Sequence, residues 1–247
     1  MKLKAWITAL IIVFSAVSAI AVAGEFQHVV IFGDSNSWLG GDDCSKPRGW
    51  NFWLREALQP ESIRSYARSG ATWTHTAKTK RNTQEYTEVL GDDNVVMNQI
   101  FRMEEAMDSG TQVKPDLILI MAGTNDAWFR PESLDDTQGQ TPCSAHRGVS
   151  PRVASLAEAV AYDCTLLRNR LPEARIVLLT PMRSRQAGKR NILRAGDIIV
   201  TCGEQLGIEV IRLDGEAVET ADGTHTTVAG AKHLGEIIAQ RFFLNDK

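Results

Sequence analysis

The apolar run Val29-Val30-Ile31-Phe32 gives way to Gly33-Asp34-Ser35-Asn36-Ser37, so a serine falls on the first polar turn after it. Uninterrupted apolar runs are typical of parallel strands buried on both faces. In open α/β sheets ligands bind where such strands end, at their carboxyl side. Ser35 is therefore placed where a nucleophilic hydroxyl could act. Ser and Asp are also favoured helix caps, and on this stretch alone the capping role is the better explanation. A hydroxyl nucleophile needs a base and an orienter for that base. The chain has five histidines. His28 lies in the first apolar run, His75 and His146 in loop segments, and His233 in the last helical pattern. His225 ends Ala221-Asp222-Gly223-Thr224-His225, after the last strand pattern and on the strand-end side that carries Ser35. Asp222 can curl back through the glycine-containing turn to the imidazole, fix its tautomer and stabilise the imidazolium. The same residues suit an ordinary surface turn equally well.

Negative charge developing on a carbonyl oxygen needs hydrogen-bond donors placed to receive it. Gly70, in Ala67-Arg68-Ser69-Gly70-Ala71-Thr72, follows a second strand pattern and lets backbone approach a ligand closely. Asn125, in Ala122-Gly123-Thr124-Asn125-Asp126, follows a third and offers a side-chain amide. Either segment could be a plain turn. What favours chemistry is the coincidence: four separate strand ends each present a residue that acyl transfer to serine requires. Asp34 reads as scaffold, hydrogen-bonded within its own turn.

These blocks, Gly33-Asp34-Ser35, Gly70, Gly123-Thr124-Asn125-Asp126 and Asp222-Gly223-Thr224-His225, occur in the order found in the SGNH hydrolases, also called GDSL esterases/lipases, and the chain resembles that family. The resemblance implies Ser35 as nucleophile, His225 as base and Asp222 as its orienter. It also implies an oxyanion hole from the Ser35 N–H, the Gly70 N–H and the Asn125 side chain. Asn36 departs from the pattern, since many members have leucine or isoleucine there; no loss of catalysis is expected, because the backbone N–H is what serves.

The elements that must position these residues are legible as alternation. Strand patterns at 27–33, 63–67, 116–122, 174–180 and 208–213 alternate with helical patterns at 51–58, 95–109, 151–171, 189–206 and 227–243. Such alternation predicts parallel strands joined by right-handed crossovers. The expected fold is a three-layer α/β/α domain, flavodoxin-like, over residues 24–247. In the 151–171 helix Val153, Leu156, Ala157, Val160, Cys164 and Leu167 form one apolar stripe, with Ser150 as cap and Pro151 at the first helical position. Residues 127–149 show no periodicity and are longer than most connections; a loop of this kind at a strand end reads as a binding wall. Among the tryptophans, Trp38, Trp73 and Trp128 follow strand ends and are candidates for that wall, whereas Trp50 and Trp53 suit helix core.

Composition narrows the rest. With 43% apolar and 23% charged residues the chain has the make-up of an ordinary globular protein. Its formal charge of −3 and lack of a basic patch give no basis for nucleic-acid binding. The grouping Arg183, Arg185, Lys189, Arg190 and Arg194 reads as a solvated face. Lys2 and Lys4, then an uncharged apolar stretch ending Ala21-Val22-Ala23, have the order of a secretory signal peptide over residues 1–23. Cleavage would leave a secreted or periplasmic protein without stable membrane insertion. Export permits disulfides, and Cys44 and Cys143, in loops on the same side of the sheet, are the expected pair; Cys164 and Cys202 read as buried thiols. No cysteine spacing resembles a zinc site, and the chemistry calls for no metal, nucleotide or flavin. The expected substrate is a small-molecule or polysaccharide ester. A carbohydrate O-acetyl ester comes first, with a lipid or thioester acyl group as the alternative. A non-catalytic binding domain of the same fold would lack one of the triad residues, and none is missing.

Overall fold

A computed structural model describes residues 26–75, 93–135, 153 and 155–244. The expected leader, most of the 127–149 segment, Cys143 and His146 lie outside the described residues. Five parallel strands form one sheet: β1 (His28–Gly33), β2 (Ser62–Ser65), β3 (Leu117–Met121), β4 (Arg175–Leu179) and β5 (Glu209–Ile211), in the order β2-β1-β3-β4-β5. The helices are α1 (Ser35–Trp38), α2 (Trp50–Leu58), α3 (Val96–Asp108), α4 (Thr124–Phe129), α5 (Leu156–Arg170), α6 (Lys189–Leu206) and α7 (Val228–Leu244). This is the three-layer α/β/α architecture the alternation predicts.

Side chains alternate across a strand with period two, and the core splits accordingly. Val30, Phe32, Ile118, Ile120, Ile176 and Leu178 join one buried cluster with residues of α3, α5 and α6. Val29, Ile31, Leu119, Met121, Val177 and Leu179 join the other with residues of α2 and α7. Burial on both faces explains why the central strands are apolar without interruption.

The strand order reverses direction at β1, which pairs with β2 on one side and β3 on the other. The crevice beyond the carboxyl ends of β1 and β3 is the switch point at which such sheets bind ligands. The backbones crowd here: a Cβ on Gly33 would lie 2.4 Å from the Met121 carbonyl oxygen, so no larger residue fits. Gln99, fully buried on α3, accepts from the Gly33 N–H at 2.8 Å and donates to the Gly33 carbonyl at 2.9 Å. That side-chain amide finishes the ladder that β1 leaves open at its end.

Three expectations are corrected. The fifth helix starts at Leu156 rather than at Pro151, because Ser155 caps it by accepting from the Glu158 N–H. Residues 127–134 are not irregular: they complete α4 and a 3₁₀ turn, Pro131–Leu134. Cys44 is a free, fully buried thiol rather than half of a Cys44–Cys143 bridge; its sulfur accepts from the Asn51 amide at 3.2 Å, and burial pushes its pKa up to about 12. Cys164 and Cys202 are buried thiols. Among the described residues no helix is long and apolar enough to cross a membrane.

Candidate active site

Ser35 opens α1 immediately after β1. Asp34 caps the helix, its Oδ1 accepting from the Asn36 N–H at 3.1 Å, so the serine is also held on a tight turn. The two explanations of the sequence thus coexist, with Asp34 rather than Ser35 as the cap. Asp34 is fully buried. The Thr124 hydroxyl is near enough to favour its ionised form but makes no well-formed bond to Oδ2, which lacks a partner. Burial, the dominant influence, pushes the Asp34 pKa up to about 6.

The turn after β5 brings His225 to this serine across 190 residues of sequence. His225 Nε2 lies 3.0 Å from Ser35 Oγ, and Nδ1 lies 2.7 Å from Asp222 Oδ2. A carboxylate only accepts, so Nδ1 carries the proton and Nε2 presents its lone pair to the serine hydroxyl. The other Asp222 oxygen, Oδ1, accepts from the Thr224 N–H at 2.9 Å and the His225 N–H at 2.8 Å. Partial burial works against the charge, but these bonds and the His225 ring hold the Asp222 carboxyl well below the usual carboxylate range. Asp222 is therefore ionised at neutral pH and keeps the ring in one tautomer. The remaining described histidines are elsewhere: His28 bonds Ser62, His75 is buried against Val153, and His233 is on the outer face of α7.

Gly70 and Asn125 are tied to each other's loops. The Asn125 amide donates to the Ala71 carbonyl at 2.8 Å, which uses one of its two N–H groups. Asp126, fully buried, accepts from the Trp73 N–H, the Thr74 N–H and the Thr74 hydroxyl at 2.7–3.0 Å. Burial nevertheless pushes its pKa up. On the other side Arg68 grips Asp42 through both guanidinium nitrogens at 2.8 and 3.2 Å, binding the loop after α1 to the loop after β2. Asp126, Asp42 and Arg68 carry no signal of this in sequence beyond lying beside the motif blocks.

The tryptophans separate. Trp73 is only 1% exposed and packs in the core, so it presents no face to a substrate; the clasp of Asp126 on its backbone draws this segment inward. Trp38 is half-buried. Trp128 is 40% exposed and stacks on Phe129, itself 38% exposed, with centroids 4.6 Å apart. The aromatic start of the 127–149 segment, Trp128 and Phe129, is thus an exposed pair. Trp50 is core, its indole N–H donating to Ser37 Oγ at 3.0 Å.

Two residues that sequence reasoning assigned no role hold the His225 turn. Asn36 donates to the Thr224 carbonyl and accepts from the Thr226 N–H, both at 3.2 Å. Gln186, in the loop after β4, donates to the Asp222 carbonyl at 3.0 Å and accepts from the Thr224 hydroxyl. Arg185 adds a bond to the same Asp222 carbonyl at 2.9 Å and lies over Gly223, where a Cβ would come within 2.8 Å of it. Arg185, expected on a solvated face, thus grips this turn instead.

A serine hydrogen-bonded to an aspartate-held histidine, with backbone and amide N–H groups on the turns after β2 and β3, is an arrangement able to support acyl transfer to serine. The family model for GDSL-like lipases/acylhydrolases matches residues 31–234, and the chain belongs to that family of ester hydrolases. No curated protein matches it in sequence. Solved structures share the fold at low identity. A Bacteroides uniformis protein assigned as a GDSL-like lipase is 22% identical, with a TM-score of 0.53 over 87% of this chain and 95% of that one. A carbohydrate esterase family 2 enzyme with a carbohydrate-binding domain, from Corynascus thermopiles, is 18% identical, with a TM-score of 0.55 over 87% and 65%. A carbohydrate acetylesterase from Sinorhizobium meliloti is 14% identical, with a TM-score of 0.52 over 87% and 97%.

Proposed function

We propose that this chain is an exported carbohydrate O-acetyl esterase working through an acyl-enzyme on Ser35. The observation that carries the ester chemistry is the unbroken chain Ser35 Oγ–His225 Nε2, His225 Nδ1–Asp222 Oδ2. In this mechanism Ser35 attacks the ester carbonyl while His225 takes its proton. Asp222, ionised, stabilises the imidazolium that results. The oxyanion is met by the Ser35 N–H, the Gly70 N–H and the second N–H of Asn125. The first N–H groups of a helix have no intrahelical acceptor, which favours Ser35 for this role. His225 then returns its proton to the leaving alcohol, and water, activated by the same ring, releases the acid.

The carbohydrate assignment is supported by the exposed Trp128–Phe129 stack one turn beyond Asn125, an aromatic face of the kind that packs on sugar rings. Trp38 can contribute beside the nucleophile. Two of the structural relatives act on carbohydrates by their description. The apolar leader over residues 1–23 supports export. The test compares acetate release from acetylated xylan or pectin with hydrolysis of p-nitrophenyl esters of rising chain length, using Ser35→Ala as the blank. Activity that falls steeply beyond the shortest acyl groups is expected. A preference for long acyl chains would replace this reading with a lipid acylhydrolase.

A further inference from the structure

Asn36 stands where many family members carry an apolar residue, yet it is completely buried and all of its bonds point to the site. Its backbone N–H is held by Asp34. Its side-chain amide donates to the Thr224 carbonyl and accepts from the Thr226 N–H. These two residues flank His225, and the His225 ring reaches back to Ser35, the residue bonded to Asn36. The result is a closed ring of four links: Ser35 to Asn36 by the peptide bond, Asn36 to Thr224 and Thr226 by hydrogen bonds, and His225 to Ser35. We infer that Asn36 is a positioning residue that sets the register of the base against the nucleophile.

The physical need is specific to this turn. Asp222 orients the imidazole, but Asp222 and His225 travel together in one surface turn, so their mutual bond says nothing about the distance to Ser35. Gln186 and Arg185 hold that turn to the loop after β4, an element that does not carry the nucleophile. Thr226 Oγ1 donates to the Arg48 carbonyl in the loop before α2, but among the described residues it is Asn36 that joins the turn to the element bearing Ser35, apart from the His225–Ser35 contact itself. An apolar residue at 36 could fill the space but would leave the Thr224 carbonyl and Thr226 N–H without these partners. Each such loss is costly in a buried place, and the turn would settle elsewhere.

The inference rests on Ser35 and His225 acting as nucleophile and base. The test uses the full chain with Asn36→Leu, which restores the common apolar residue, and Asn36→Ala, which removes the amide without bulk should the leucine variant not fold. Three readouts apply. Steady-state hydrolysis of p-nitrophenyl acetate is expected to lose about ten- to a hundredfold in kcat with KM within about twofold, the cost of small misplacement of a reacting pair. The rate of covalent labelling by a fluorophosphonate is expected to fall by the same factor. Long-range proton–nitrogen spectra of ¹⁵N-histidine protein are expected to show an unchanged His225 tautomer, because Asp222 still holds Nδ1. General loosening would disturb that tautomer, and its loss together with activity would overturn the positioning role. Wild-type kcat in either variant would overturn it outright. A wild-type protein inert to both reagents would instead remove the serine-nucleophile reading, and this inference with it.

Discussion

Asp34 is an uncomfortable neighbour of Ser35, and its replacement by asparagine gives a stability prediction with a definite pH signature. Its carboxyl is fully buried, with Oδ2 unpartnered, and burial carries its pKa from 3.8 to about 6. At about 1.4 kcal/mol per pH unit, the ionised form is disfavoured in the folded protein by about 3 kcal/mol. Below about pH 4 the carboxyl is protonated whether the chain is folded or not, and no penalty exists. Between about pH 4 and 6 the unfolded chain ionises while the folded one keeps its proton, so stability falls as pH rises. Above about 6 both are ionised and the full penalty is in place. Asparagine keeps the capping oxygen for the Asn36 N–H, since Asn and Asp cap equally well. Its amide nitrogen faces the Thr124 hydroxyl, which lacks a partner in the native protein. Asp34→Asn is therefore expected to be nearly neutral at pH 4 and to stabilise by about 3 kcal/mol at pH 7 and above. Urea unfolding of both proteins at several pH values, with m compared to confirm a common transition, measures the difference directly. A difference that does not change with pH would refute the argument, because a lost or gained packing contact has no reason to titrate.

Two further expectations follow from the same kind of accounting. Asn125→Ala removes an oxyanion donor and should cost about 10²–10³ in kcat with little change in KM; initial rates across substrate concentration separate the two, and a pure KM effect would assign Asn125 to ground-state binding. Asp163 on α5 is fully buried with neither carboxylate oxygen partnered, and burial pushes its pKa well up. Asp163→Leu should stabilise by about 1–3 kcal/mol at neutral pH, raising Tm by roughly 2–10 °C for a domain of this size; a calorimetric decrease would mean that the carboxyl has a partner.

The sheet was readable because each central strand is buried on both faces, which leaves an apolar run that no helix of that length needs. The long helices were readable from their stripes. α1 and α4 were not: four and six residues are too few for a 3.6-residue period to show. Proline at 151 is a loud start signal for α5, but Ser155 and Glu158, at the spacing of a capping box, mark the true start. Ser35, Gly70 and Asn125 stand out as site candidates because each lies in the turn that follows a strand, and Asp222 and His225 because they share a glycine-containing turn beyond the last strand, all in the block order of the family the chain resembles. Trp73 had the same placement and was misjudged, since a strand end does not say whether the next side chain turns inward. Asn36 is visible in the sequence as a departure from the family pattern, but its role, like that of Gln186, is not. Their partners are backbone groups 188 and 36 residues away, and backbone groups leave no trace in a sequence.

The central claim is that Ser35 is a nucleophile activated by His225. Mass-spectrometric mapping after reaction with a fluorophosphonate tests it most directly. The probe is expected on the peptide containing Ser35, absent in Ser35→Ala and slowed at least a hundredfold in His225→Ala, on the order expected when the general base is removed. Modification of a different residue, or labelling of Ser35 at the same rate without His225, would contradict it.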